Sequence, residues 1–384
     1  MTYRGKSLNR GIVGVGVAAA LVAGTAGPAQ AAFSSTPDLL PGFNGTVLAV
    51  AYSGNTLFVG GDFTSVVVKG KAVIRNRLAA VDARTGELLS WAPAADGRVK
   101  ALAVSGSAVY AGGDFGTVAG QKRDSLVRLD AATGAVSSSF KHSVEGKPYA
   151  LAAGSGKLYV GGAITAVDGQ ARSRLAAFSL SSGALDGTWK PTVDDQVEAL
   201  TFAGSRVYAG GKFHKVNSTS GYDRLVALDP SSGKIVAAFK PKAPVITYSI
   251  AVDGDRVYTA AGGQGGKANA YTTAGVLQWT ATFDGDAQAI ASYGGTVYVG
   301  GHFDKACKTA RTGSQGVCLD GSTARVKLAA LSPSDGALQS WTANGNGIEG
   351  VLTMATNSAF GGLAAGGAFT TINGKSVKRL AQFS

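Results

Sequence analysis

Val99-Lys100-Ala101-Leu102-Ala103-Val104, then Val109-Tyr110-Ala111-Gly112-Gly113-Asp114-Phe115, then Leu126-Val127-Arg128-Leu129-Asp130, then Thr133-Gly134 followed by Phe140, is the stretch whose reading decides the fold. Each apolar run has the length of a strand, and turn residues separate one run from the next. The same order recurs along the chain at a period of about 50 residues, the range in which arrays of one supersecondary unit are expected.

Working outward, the second run ends in Gly60-Gly61, Gly112-Gly113, Gly161-Gly162, Gly210-Gly211, Ala260-Ala261, Gly300-Gly301 and Gly366-Gly367. Paired small residues inside a strand mark a bulge or a close approach of another backbone, as sheets packed face to face around an axis require once per unit. The third run also occurs seven times, from Arg77-Leu78-Ala79-Ala80 to Arg379-Leu380-Ala381-Gln382, but the turn after it occurs only six times, because the chain stops at Ser384. The missing outer strand is found at the other end. Trp91, Phe140, Trp189, Phe239 and Trp279 each stand 21 residues before the next small pair, and the same interval back from Gly60 reaches Leu39. The expectation is an all-β, seven-bladed β-propeller with four antiparallel strands per blade, its ring closed by an N-terminal strand that completes the last blade. Two irregularities mark one sector: an insertion between Cys307 and Val326, and the longer interval from Trp341 to Gly366.

The totals agree with a turn-rich β protein: 384 residues with 56 Gly and only 16% charged. Residues 1-31 read as a secretory signal peptide, with Arg4, Lys6 and Arg10 ahead of an apolar stretch and Ala29-Gln30-Ala31 as a cleavage site. Residues 32-384 then form a single propeller domain, and no later run is long enough to span a bilayer. In an exported chain the two cysteines, Cys307 and Cys318, are expected to form a disulfide.

Loops between the second and third strands, and those leading into the next first strand, should share one face. The first set is basic and supplies the candidate partner-binding residues Lys71, Arg75, Lys122, Arg123, Arg172, Lys308 and Arg311. The second set is acidic, with Asp96, Glu145, Asp194, Asp195, Asp284, Asp286 and Glu349 near a central channel. A formal net charge of +12 suits anionic or acidic partners, while basic groups spread around a ring without interleaved aromatics do not make a nucleic-acid footprint. No catalytic, cofactor or metal residue is assigned. His142, His214 and His302 fall in different repeats, no nucleophile elbow is present, and two Cys with His302 are an incomplete zinc set.

Ala80-Val81-Asp82-Ala83-Arg84-Thr85-Gly86 leading to Trp91 resembles the tryptophan-docking motif of quinoprotein propellers. Its Gly-to-Trp interval is one residue longer, and Trp becomes Phe in two repeats, so aromatic packing between blades is the expected role. The repeat as a whole, with Val-Tyr-x-Gly-Gly-x-Phe, an Arg-Leu-Ala-Ala strand, Thr-Gly and an aromatic-x-Pro, resembles the secreted actinobacterial β-propellers with delta-60-type repeats over residues 37-384. That resemblance implies a secreted, non-catalytic interaction scaffold in the extracellular space or cell wall, monomeric before any crosslinking. Its implied partners are a secreted metalloprotease or a transglutaminase, and the basic charge adds an anionic cell-wall polymer. As a transglutaminase substrate it would offer Gln121, Gln170, Gln196 and Gln315 before Gln288 or Gln382. The other class of function is a propeller enzyme, quinoprotein-like, lyase or glycan-cleaving, that uses the acidic residues at the channel mouth.

Overall fold

The computed structural model describes residues 33–384, so the segment read as a signal peptide lies outside the described residues. Each repeat folds as a small antiparallel sheet. In the second repeat, Val99–Ser105 pairs with Ala108–Gly113 across a two-residue turn in which Gly106 takes φ +56, and Ala108–Gly113 pairs in turn with Leu126–Asp130. The innermost strands of the successive sheets are Val47–Ser53, Val99–Ser105, Pro148–Gly154, Val197–Ala203, Thr247–Asp253, Ala287–Tyr293 and Val351–Asn357. Each lies beside its predecessor and its successor, and Val351–Asn357 lies beside Val47–Ser53. The hydrophobic core is therefore divided among the gaps between sheets. One cluster joins Phe58 and Trp91 of the first sheet to Val99, Val109 and Phe115 of the second.

The small pairs have two separate tasks. A Cβ on the first glycine would strike the opening side chain of the next inner strand: Gly60 meets Val99, Gly161 meets Val197, Gly210 meets Thr247, and Gly366 meets Val47. In the fifth sheet Ala260 takes this place, and the residue facing it on the next inner strand is Ala287 where the others carry larger side chains; both sit in one core cluster. A Cβ on the second glycine would strike a backbone carbonyl of its own sheet, Arg98 O for Gly113 and Lys147 O for Gly162. That carbonyl belongs to the residue just before the bulged inner strand; the fifth sheet keeps the same bulge with Ala261 in this place, so the second glycine goes with the close backbone contact and is not a condition of the bulge.

The expected four strands per sheet are corrected. Among the described residues only the fifth sheet has four, Leu277–Thr282 pairing along Lys267–Thr272. Elsewhere the outer segment makes a single bridge, such as Val81 with Leu88 or Leu129 with Val136, and then leaves the ladder to place its aromatic anchor. The N-terminal segment does run along the last strand, Leu380–Phe383: Asp38 N donates to Gln382 O at 2.8 Å and Ser34 N to Ser384 O at 3.1 Å. Leu39, however, is no apolar anchor, since its side chain is 94% exposed. Gln382, 1% exposed, does the anchor's polar work, donating Nε2 to Asp38 Oδ2 and to Ala83 O and accepting from the Tyr52 hydroxyl.

In five of the sheets the segment before the inner strand bridges to the hairpin between the second and third strands of its own sheet: Phe43 with Val66, Ala95 with Val118, Val144 with Val167, Val193 with Val216 and Phe283 with Ala306. Both sets of loops thus share one face. Cys307 and Cys318 are joined in a disulfide, and their loop leans on the fifth sheet, with Thr312 Oγ1 donating to Gln264 O at 3.0 Å. Among the described residues no helix is long and apolar enough to cross a membrane.

Candidate functional site

The rim does not present all its expected groups to a partner. Arg123 and Arg172 are only 4% and 6% exposed, and Arg75 is half-buried. Each guanidinium donates to the preceding carbonyl and to a carbonyl fourteen residues on: Arg75 to Ile74 O and Leu89 O, Arg123 to Lys122 O and Ser137 O, Arg172 to Ala171 O and Asp186 O. Arg325 repeats the pattern with Ala324 O and Gln339 O. These arginines clamp the rim hairpin to the outer segment of the same sheet, and burial lowers the pKa of Arg75 and Arg325. A signal was present in the sequence, because all four stand eleven residues before the turn glycine. Lys71, Lys122, Lys308 and Arg311 are exposed, Arg311 with Asp320 at 2.8 Å.

The acidic set divides likewise. Asp96 Oδ1 accepts from Gly116 N and Thr117 N, Asp194 from His214 N and Lys215 N, and Asp284 from Asp304 N and Lys305 N. Asn44 and Asn346 fill the same position with the same pair of bonds. An amide that replaces a carboxylate shows that the position needs an acceptor and not a charge. At Asp96 and Asp194 burial raises the pKa, but the backbone donors outweigh it and the net shift is downward.

The side chains that do converge are those placed by the bulges. Every inner strand shifts register after its first residue, and the extra residue faces the axis: Leu48, Lys100, Tyr149, Glu198, Tyr248, Gln288 and Leu352. Together they line the mouth of a cavity of about 300 Å³. Gln288, within the strand Ala287–Tyr293, also belongs to this ring. Lys100 Nζ lies 3.0 Å from Asp114 Oδ2 and 4.6 Å from the centre of the Tyr149 ring, and Lys147 reaches Asp114 Oδ1 at 3.4 Å. Glu198 Oε1 accepts from Gln196 Nε2 at 2.7 Å and lies 3.3 Å from Lys212 Nζ. Burial raises the Tyr248 hydroxyl pKa, with the Asp286 and Glu198 charges adding to it. Asp286 is itself raised by burial, and its backbone N donates to His302 Nε2 at 3.3 Å. No alternation pattern announces this ring, because a bulge breaks the period of two from which facing is read.

Among the described residues no three His, Cys, Asp or Glu side chains are placed to hold one metal ion. Of the candidate glutamines, Gln121, Gln170 and Gln315 are exposed, whereas Gln196 is half-buried against Glu198. His142 lies between Asp168 at 2.7 Å and Gly183 O at 2.8 Å, and His214 lies 2.8 Å from Asp223, so the three histidines stay apart.

Between sheets, the anchors dock as well as pack. Trp91 Nε1 donates to Asp130 O, Trp189 Nε1 to Asp229 O and Trp279 Nε1 to Pro333 O, each on the following repeat, at 2.9, 3.0 and 2.9 Å. Solved structures with this architecture include a chain of the mitotic checkpoint complex (13% identical, TM-score 0.59, covering 100% of this chain and 98% of that one). The WD40 β-propeller domain of Doa1 is 12% identical at TM-score 0.58, covering 92% of this chain and 97% of that one. The Neurospora crassa Pan2 WD40 domain is 11% identical at TM-score 0.53, with coverages of 88% and 89%. At these identities the likeness speaks for the β-propeller fold alone. A search of the curated proteins finds no match. The model of the PQQ_2 family, described as outer membrane protein assembly factor BamB, matches residues 28–212 and 186–347. With most of its repeats inside those two matches and its tryptophans docked from one sheet to the next, the chain belongs to the PQQ_2 family.

Proposed function

We propose that the protein is a closed seven-bladed propeller that serves as a non-catalytic binding scaffold, engaging its partner with the face that carries the channel mouth. Closure is supported by the contact of the last inner strand with the first and by the N-terminal segment laid along Leu380–Phe383. The observation that carries the function is the ring of seven bulged residues: a repetitive backbone brings seven side chains of different chemistry to one opening. A family description as an assembly factor accords with a scaffold. The leader at 1-31 makes the setting extracellular, and the protein acts there as a monomer. Within that reading the partner is a secreted metalloprotease or transglutaminase, as for the dispase autolysis-inducing protein, which this chain resembles in size and expected blade number, or a cell-wall polymer.

The test is a pull-down from culture supernatant and washed cell walls, using the mature chain and a Tyr149→Ala/Glu198→Gln variant as baits. A component retained by the first and lost from the second supports the mouth as the binding face. Retention that ignores the mouth overturns it. Amine labelling by transglutaminase checks the narrower idea, with Gln121, Gln170 and Gln315 expected to react before Gln196, Gln288 or Gln382. The enzyme reading has one observation in its favour, the half-buried Asp286 whose carboxyl is raised by burial beside Tyr248 and His302. Turnover of a substrate that ceases in Asp286→Asn would establish it.

A further inference from the structure

We propose that the channel mouth binds a neutral sugar unit at the end of an oligosaccharide, held between Tyr149, Glu198 and Tyr248; this rests on the mouth being the binding face. The charges of the mouth argue against an ionic ligand. Lys100 and Lys147 share Asp114, and Lys212 is paired with Glu198, so both charged members of the ring, Lys100 and Glu198, already have an opposite neighbour within 3.4 Å. A charged polymer would have to break these pairs, whereas a polyhydroxylated ligand needs only hydrogen bonds and flat surfaces.

Both are present. Tyr149 and Tyr248 stand on alternate inner strands with Glu198 on the strand between them, so two rings flank one carboxylate. Tyr248 is held in place by the missing side chain of Gly262, where a Cβ would come within 2.8 Å of the ring. The Glu198 carboxylate is fixed through Oε1 by Gln196 and Lys212, which leaves Oε2 to accept from a ligand hydroxyl. Gln288, on the next strand after Tyr248, supplies an amide that both donates and accepts. Aromatic faces take the C–H face of a sugar, and planar acceptors take its paired hydroxyls. A cavity of about 300 Å³ is at the small end of ligand sites and suits a chain terminus and not a buried polymer.

The experiment is ligand-observed NMR and calorimetry on the mature protein with cellotetraose, chitotetraose and maltotetraose. Oligogalacturonate serves as the anionic probe, and a tryptic digest of the producing organism's secreted proteins as the peptide probe. At least one neutral tetrasaccharide is expected to bind with an affinity unchanged from low salt to about 0.5 M. Tyr248→Leu and Glu198→Gln should each weaken it about tenfold, while Tyr248→Phe, which keeps the ring, stays within about threefold. Lys375→Ala, exposed on the rim hairpin of the seventh sheet, should change nothing, and melting curves of all variants confirm that they fold. Binding of oligogalacturonate alone, lost with salt, overturns the proposal, as does saccharide binding that the mouth variants leave intact. If peptides alone bind and are lost in Tyr248→Leu, the sugar assignment falls and the binding face stands. If no probe depends on the mouth, both fall.

Discussion

Arg123 and Arg172 look like rim charges in the sequence, yet their guanidinium groups are spent on carbonyls inside the rim. Removing such a donor leaves a buried carbonyl unpaired, so Arg172→Met should cost about 1 to 3 kcal/mol in urea unfolding, while Lys71→Ala, at an exposed position, should stay within about 0.5 kcal/mol. The acceptor role of Asp194 gives a sharper comparison. Asp194→Asn should be nearly neutral, as Asn44 and Asn346 already show the amide working there, whereas Asp194→Ala should lose about 1 to 2 kcal/mol. Which charged residues are free was not legible from residue type, because an arginine clamp and an arginine handle share one composition. Only the fixed offset of eleven residues before Gly86, Gly134, Gly183 and Gly336 distinguished them. Acid stability tests the turns. Asp229 accepts from the Ser231 and Ser232 hydroxyls and from their backbone N–H groups, which holds its pKa at about 2. Asp82 and Asp130 are lowered by the same kind of bonds. Their folded values lie below the unfolded carboxylate value, so this stability is complete above about pH 4 and is lost as pH falls toward about 2. Unfolding measured across that window should show a flatter pH dependence in Asp229→Asn than in the parent.

At the scale of the element, the small pair is the unit of the design. The sequence shows it plainly, since a motif repeated seven times survives any uncertainty in one copy. What the pair does was only half legible: the close approach of the next sheet could be inferred from size, but the contact of the second glycine with a carbonyl of its own sheet, and the bulge beside it, could not, because a bulge has no residue signature of its own. The same blindness explains the mouth ring and the overestimated fourth strand, where a single bridge such as Phe178 with Leu185 precedes an anchor that turns away to pack. The natural replacement at Ala260, opposite Ala287, turns the packing argument into a mutational cycle. Gly161→Ala would bring a Cβ to 2.6 Å from Val197 Cγ1 and should cost about 1 to 3 kcal/mol by overpacking. Val197→Ala alone should cost about as much by leaving a cavity. Together they reproduce the arrangement of the fifth gap, so the double variant should recover at least about 1 kcal/mol of coupling in chemical denaturation. Strict additivity would mean that the first glycine is there for another reason.

At the scale of the whole molecule, the weak point of the proposed closed ring is the place where the segment from Phe33 meets the last strand. Six gaps between sheets are crossed by continuous chain, and the aromatic anchors stand against them, Trp91 on Phe58 and Trp189 on Tyr159 among others. The seventh has no such anchor. Ala364 stands where the other middle strands carry Phe or Tyr, and the amide of Gln382 ties Asp38, Tyr52 and Ala83 together in place of an indole. Phe33 reaches back to stack on Tyr293 at 4.8 Å and meets Tyr298 at 5.3 Å, pinning the start of the segment to the sixth sheet. A mature chain beginning at Pro41 would lose two backbone hydrogen bonds to Leu380–Phe383 and the neighbouring Ser384, the buried Phe33 and the Asp38 contact to Gln382. Two net hydrogen bonds and one buried phenylalanine amount to about 4 kcal/mol, which at about 2 °C per kcal/mol lowers Tm by roughly 8 °C. The truncation also bares the edge of the last strand, so self-association should rise with concentration in sedimentation velocity. Gln382→Met, which keeps the volume and removes the three polar bonds, should reproduce the loss of stability without the association, because the segment still covers the edge. A truncated chain as stable and as monomeric as the parent would mean that the ring is held by its inner strands alone and that the N-terminal segment is an attachment to it.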